Sequence, residues 1–340
     1  MTRNYHIDNI KGLLMLTVVF THMVMNYRML PVWGGVINVV YSFHMPAFIL
    51  VSGYLSKRVD SHRKKELDTL LWPFIVFQIL YFAYCKATGL LSIGLNPFSP
   101  IYLNWYIIVL FLWRLVLPYF KYFSKTAVIS SLFVLSALSG AFVDNSFLSM
   151  YRMLYYFPLF AIGYYITDLD ALVRRLSVFR WLFVVGFLIG VTAIFYLSFS
   201  DSSLNETINY ALTPNLNYDR ELKEFIEVKD VMIRLCGFVT TVLMTFCFIV
   251  TCCSIKGLAG RASLLSDTGR NSIAVYYIHG FVALFVVSQI GSLSVLNQFI
   301  VVLPLTILLC WLLSRDWVIH LLKPLFDFNK MPILSKKGER

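Results

Sequence analysis

Hydrophobic residues in this chain gather into long runs, separated by short polar and basic connections. A run of about 17 to 25 apolar residues, coiled as an α-helix, crosses a bilayer core of roughly 30 Å. Ten runs come close to or reach that length, at residues 10–27, 33–56, 69–86, 101–120, 126–143, 152–168, 180–199, 231–254, 271–291 and 297–314. The pattern predicts an all-α, polytopic membrane protein of about ten transmembrane helices, since lipid demands that each backbone polar group be satisfied within its own segment. The fifth run, with its SALSGAF stretch, is the least apolar. Trp33, Trp72, Trp105, Trp181 and Trp317 fall near run ends, where an amphipathic indole prefers the interface.

Composition sharpens this reading. A chain of 340 residues would ordinarily make two or three soluble domains, but one that is 59% hydrophobic and 14% charged needs lipid to cover its apolar excess. Its mean hydropathy is +0.73. The net charge of +11 sits in the connections between runs, a pattern of membrane topology and not of a nucleic-acid-binding face. With the N-terminus inside, 21 Lys and Arg fall in cytoplasmic segments against 6 on the other side, which predicts that both termini are cytoplasmic. The first apolar run lacks a small-residue cleavage site and carries Lys11 and His22, so it is expected to stay as the first helix.

The resulting organisation is a single membrane domain over residues 1–322 and a basic cytoplasmic tail over 323–340. Residues 200–230 form the sizeable extracytoplasmic segment, with seven acidic and three basic residues. Its second half, DRELKEFIEVKDV, reads as a short amphipathic helix, either a solvated connection or a lid over an acceptor. Asn205-Glu206-Thr207 matches a glycosylation sequon, which carries little weight in a chain of bacterial type. The six cysteines show no CxxC pairs and no histidines at metal spacing, so neither a disulfide framework nor a metal site is expected. No internal repeat and no phosphate-binding glycine loop is present, which argues against an ATP-driven pump.

Ionisable residues inside apolar runs are costly and therefore mark candidate chemistry. His22, His44 and His279 are the main ones. At 1.5 Å per residue His22 and His44 both lie about 18 Å from the cytoplasmic ends of their runs, and His279 about 12 Å in. Imidazole suits proton transfer near neutral pH. Asp8 and Lys11 share a helix face at the cytoplasmic entrance, where Lys11 can meet an anionic ligand or lipid phosphates. Pro46, two residues after His44, predicts a kink beside that imidazole. Ser52-Gly53 permits close helix packing. Arg114 reads as an interfacial, snorkelling residue. Arg152 opens a run rich in tyrosine, at Tyr151, Tyr155 and Tyr156, a combination suited to sugar or phosphate contact or to an interfacial belt, and Arg234 lies near an outer end.

These residues bear a family resemblance. Lys11 followed by ten residues and His22, within IDNIKGLLMLTVVFTH, resembles the basic-x10-His motif opening the acyltransferase-3 family of membrane acyltransferases. His44-Met45-Pro46-Ala47-Phe48 with Ser52-Gly53-Tyr54-Leu55 resembles that family's second helix. Asn104-Trp105-Tyr106, the run from Phe157 to Tyr164, and Gly269-Arg270-Asn271-Ser272 through Tyr276 and His279 resemble three later ones. The family usually carries arginine where this chain has Lys11, which keeps the charge but loses the bidentate guanidinium fork.

The resemblance implies transfer of an acetyl or related acyl group from cytoplasmic acyl-CoA to a sugar hydroxyl of an envelope or exported polysaccharide, such as a capsule, by a multi-pass protein of a bacterial plasma membrane. Expected partners are the acyl-CoA donor, acetyl-CoA foremost, the glycan acceptor and the bilayer, with glycan-assembly proteins alongside and no nucleic acid or metal. In this scheme His22 is the central acid/base or a transient acyl carrier, with His44 beside it as partner or oxyanion donor. Lys11 and the basic loop Lys57, Arg58, Arg63, Lys64 and Lys65 approach the CoA phosphates. Arg152, Tyr276 and His279 line the acceptor wall. The alternative is a polysaccharide exporter or flippase of the same membrane family that transfers no acyl group. Such transporters usually show broken helices at matching places in two halves, and the prolines at 46, 73, 118, 158 and 304 do not match in this way.

Overall fold

The computed structural model describes residues 4–57, 67–90, 94, 96–142, 146–214 and 228–326. Among these residues the chain is all helix, with no strand. The succession is α1 (Tyr5–Val24), α2 (Pro31–Tyr41), α3 (His44–Leu55), α4 (Trp72–Thr88), α5 (Trp105–Val116), α6 (Lys125–Phe142), α7 (Met150–Tyr165), α8 (Leu169–Leu176), α9 (Arg180–Ser200), α10 (Ser202–Leu212), α11 (Val228–Ser254), α12 (Ser263–Arg270), α13 (Ser272–Gln289), α14 (Val295–Leu313) and α15 (Asp316–Phe326).

Eight stretches among the described residues are long and apolar enough to cross a bilayer. The runs expected at 126–143 and 152–168 fold as α6 and α7 but fall outside that set: α6 counts as a shorter apolar helix over Lys125–Gly140, and α7 is only 16 residues long and begins beside Arg152. The amphipathic stretch expected at 219–231 lies almost wholly outside the described residues. Among the short helices not foreseen are α8 and α10. Each starts at an aspartate whose carboxylate accepts backbone N–H groups, Asp168 from Ala171 at 2.9 Å and Asp201 from Ser203 at 2.7 Å.

Burial sorts the helices by what surrounds them. The stretch Pro31–Leu55 is 83% buried within the protein, whereas Leu169–Ser200 is 11% buried, so α2 and α3 belong to the interior and α9 turns its leucines and valines to lipid. Helix α1 runs between α3, α12, α13 and α14, with Ile10, Leu14, Met15, Val18, Val19 and Met23 fully covered.

Two reciprocal glycine pairs set the closest helix approaches. A Cβ on Gly53 of α3 would overlap the Phe160 carbonyl oxygen of α7, and one on Gly163 of α7 would overlap the Leu50 carbonyl oxygen of α3. Gly12 of α1 and Gly269 of α12 relate in the same way through Leu265 and Asp8. Without hydrophobic force between helices in lipid, such backbone-to-backbone contact is a main source of association. Buried Asn9 adds a polar lock, donating at 2.8 Å to the carbonyls of both Leu258 and Gly260 and accepting from Ser266 at 2.6 Å.

The run expected at 33–56 is two helices with a break at Ser42-Phe43. Pro46 has no N–H to offer the Ser42 carbonyl and its ring would strike that carbonyl in a continuous helix, so the chain restarts with proline in the first turn, where a missing donor costs nothing. His44 becomes the first residue of the second piece. Asn205, the sequon asparagine, is buried: it donates to the Arg28 carbonyl at 3.0 Å and accepts from Asn38 at 2.9 Å, so it ties α10 to α2 and offers no surface for a glycan.

Candidate active site

The expected histidines converge, though not as paired in the sequence scheme. His22 stands near the end of α1, and its Nδ1 lies 3.0 Å from Nε2 of His279 on α13, with the rings stacked at 5.3 Å. On its far side His279 places Nδ1 2.7 Å from the Val275 carbonyl oxygen. A carbonyl can only accept, so neutral His279 carries its proton on Nδ1 and its Nε2 accepts; His22 must then carry its own proton on Nδ1, which leaves Nε2 of His22 as a lone-pair base. The chain Val275 carbonyl, His279, His22 therefore assigns one tautomer by elementary hydrogen-bond accounting.

His44 obeys the same rule. Its Nδ1 lies 2.7 Å from the carbonyl oxygen of Val40, which also accepts from the Phe43 N–H at 3.2 Å, so its Nε2 is an acceptor. In that tautomer it has no proton for an oxyanion, a departure from the donor role in the sequence scheme. Stacking on Tyr41 at 5.1 Å fixes the ring plane.

His22 and His44 line one cavity of about 90 Å³, with Tyr41, Tyr102, Trp105, Arg152, Tyr156 and Tyr276. Arg152 places its guanidinium 5.0 Å from the Trp105 ring centre. Tyr102 packs against His22 at 5.5 Å between ring centres and has a left-handed backbone, φ 52°. A non-glycine residue held there costs about 1–3 kcal/mol, a strain that persists where the surroundings over-determine it. Leu212, Thr213 and Pro214 close the roof. The roof is held by Arg234, buried and not a site residue: it donates to the carbonyls of Tyr210 and, at 2.7 Å, Thr213.

A second cavity, about 270 Å³, opens toward the Lys11 end of α1 and is lined by Lys11, Ser52, Tyr106, Arg114 and Tyr276 with Met15, Phe48, Leu110 and Ile273. Tyr276 borders both cavities. Its hydroxyl donates to the Leu103 carbonyl at 2.5 Å, which pins the ring as a partition. Arg114 reaches into this cavity and donates from Nε to Ser56 Oγ at 3.0 Å, so it does more than snorkel.

The remaining expected residues separate. His279 stands behind His22 and is absent from the described lining of the first cavity. Arg58 and Arg63 lie outside the described residues, as do Lys64 and Lys65. Lys57 donates to the carbonyls of Ile166 and, at 3.0 Å, Thr167, so it caps α7. Burial lowers its pKa from the ordinary lysine value while nearby Asp168 works the other way. Tyr41, Tyr102 and Arg114 were not foreseen as site residues. Tyr41 and Tyr102 are two tyrosines among 20, with no spacing to single them out. Among the described residues no cluster of His, Cys, Asp and Glu suits a metal ion, and all six cysteines are unpaired.

Fold and cavity together define a helical, multi-pass membrane protein with paired histidines buried between its helices. A family model described as an acyltransferase domain matches residues 4–315, and the chain belongs to the acyltransferase-3 family of membrane acyltransferases. No curated protein and no solved structure matches it.

Proposed function

We propose that the protein is an O-acetyltransferase that moves an acetyl group from cytoplasmic acetyl-CoA to a hydroxyl of a cell-envelope or exported polysaccharide. The observation that carries the reading is the His22–His279 pair, Nδ1 to Nε2 at 3.0 Å, with His22 lining a cavity that shares Tyr276 with a second cavity holding Lys11 and Arg114. On this reading donor and acceptor approach through separate cavities that share Tyr276.

The cationic cavity suits the donor, with Lys11 and Arg114 toward the CoA phosphates and the apolar wall along its pantetheine arm. In the reaction, Nε2 of His22 removes the proton of the acceptor hydroxyl as its oxygen attacks the thioester carbonyl. The tetrahedral intermediate collapses, the C–S bond breaks, and the imidazolium returns its proton to the leaving thiolate, giving ester and free CoA. His279 orients His22 and accepts from its Nδ1–H as positive charge develops. His44 accepts a hydrogen bond from the sugar. In this scheme the hydroxyl of Tyr102, whose ring packs against His22 at 5.5 Å, donates to the developing oxyanion.

The test is acetyl transfer by purified protein in nanodiscs, following CoA release and label on glycan from radiolabelled acetyl-CoA. His22→Ala is expected to lower transfer by about 10²- to 10⁴-fold, the contribution of a positioned acid/base, with the helical fold retained. Undiminished transfer removes His22 from the chemistry. Glycan translocation in vesicles without CoA turnover would make the protein an exporter.

A further inference from the structure

Resting on that transferase reading, we infer that Gln78 of α4 is a positioning residue, whose amide clamps the turn at residues 99–104 and thereby holds Tyr102 against His22. Gln78 is absent from the described lining of both cavities, so it acts on the site through the main chain alone.

Tyr102 is the wall residue that most needs such a hold. Its left-handed backbone, φ 52°, suits glycine or asparagine, and a tyrosine side chain offers no local hydrogen bond to favour it. Such a conformation persists where the surroundings over-determine it. The buried amide of Gln78 does this from both sides of Tyr102. Its Oε1 accepts from the Ile101 N–H at 3.0 Å and from Asn104 Nδ2 at 2.8 Å, while its Nε2 donates to the Ser99 carbonyl at 2.6 Å. A backbone N–H only donates and a carbonyl only accepts, so the amide has one orientation here. A side chain of the same length without the amide would strand a buried N–H and a buried carbonyl, and the strained turn would lose what offsets it.

The ring and the neighbouring carbonyl are held to match. Tyr81, three residues on from Gln78 along α4, meets the Tyr102 ring near edge-on at 6.0 Å between centres. On the other side the Tyr276 hydroxyl of α13 donates to the Leu103 carbonyl at 2.5 Å. Gly280 lets α13 come close, since a Cβ there would overlap the Tyr81 hydroxyl and the Leu103 side chain. The turn is thus wedged between α4 and α13, and the outcome is the 5.5 Å packing of Tyr102 on His22.

The experiment follows two readouts on nanodisc protein: amide hydrogen exchange without substrates, and ester formation from radiolabelled acetyl-CoA with a crude envelope glycan. In Gln78→Met, exchange over residues 99–104 is expected to rise about tenfold or more while α1 and α13 stay protected. The same variant is expected to lower kcat by about 10- to 100-fold with the KM for acetyl-CoA unchanged, the penalty of a slightly displaced catalytic group. In a Tyr102→Phe background, where no hydroxyl is left to position, Gln78→Met is expected to cost less than about twofold, because both changes remove one interaction. Gln78→Glu, with an oxygen still facing the Ile101 N–H, is expected to keep part of the rate and carries the test if the Met variant does not fold. Unchanged exchange overturns the inference, as does an equal loss in both backgrounds or a loss confined to KM. Exchange needs no turnover, so it decides the clamp even if wild type releases no CoA, an outcome that would sink the transferase reading alone.

Discussion

The residue that most depends on its neighbour is His22. Its partner His279 is absent from the described lining of both cavities and acts through one hydrogen bond, so it is a positioning residue. His279→Ala is expected to lower kcat by about 10- to 100-fold, the range for outer groups that orient a functional imidazole, with the KM for donor and acceptor unchanged. His279→Gln restores part of the loss, because its amide oxygen can again accept from Nδ1–H of His22. Steady-state kinetics on the three proteins checks this; equal damage by Ala and Gln, or a change confined to KM, contradicts the hydrogen-bond role. The sequence placed both histidines at related depths, yet 257 residues separate them and no local pattern says which two of three imidazoles touch.

At the scale of the element, the site depends on α3, whose first residue is His44, being held at a set height against α7, whose first turn carries Arg152. The Gly53 and Gly163 pair provides that register. Gly163→Val inserts carbon into backbone and is expected to cost about 1–3 kcal/mol, the usual range for overpacking, read as a lower unfolding temperature in detergent. Gly257→Ala, where an added Cβ meets nothing within 4 Å, is expected to leave that temperature unchanged. The small residues of α3 announced close packing in the sequence; the facing helix did not follow from it. The proline after His44 likewise announced a distortion, and what the fold added was its form: a break at Ser42-Phe43 across which the imidazole reaches back to the Val40 carbonyl.

For the molecule as a whole, the arrangement of interest is two cavities meeting at one tyrosine. A transferase that takes donor and acceptor from opposite directions must keep water from reaching the thioester between turnovers. On the proposed reaction, Tyr276→Ala is expected to join the cavities and uncouple it, so that CoA released exceeds acetyl found on glycan, whereas wild type is expected to release one CoA per ester. Counting both products in one assay decides it; a ratio still at one in the variant would show that the ring is not the barrier.

Hydrophobic run length by itself determined that the chain is an all-helical, multi-pass membrane protein, because a backbone in lipid has few other ways to satisfy its polar groups. The cost of ionisable side chains in such runs also pointed to His22, His44, His279 and Arg152 as the residues to watch. Partnership was decided only in the tertiary structure. Which imidazole bonds to which, that Lys57 caps a helix while Arg114 faces a cavity, and that Tyr276 divides two spaces all depend on helix rotation and register. In lipid those are set by small steric contacts such as the glycine pairs, between segments far apart in the chain, and hydropathy is blind to them.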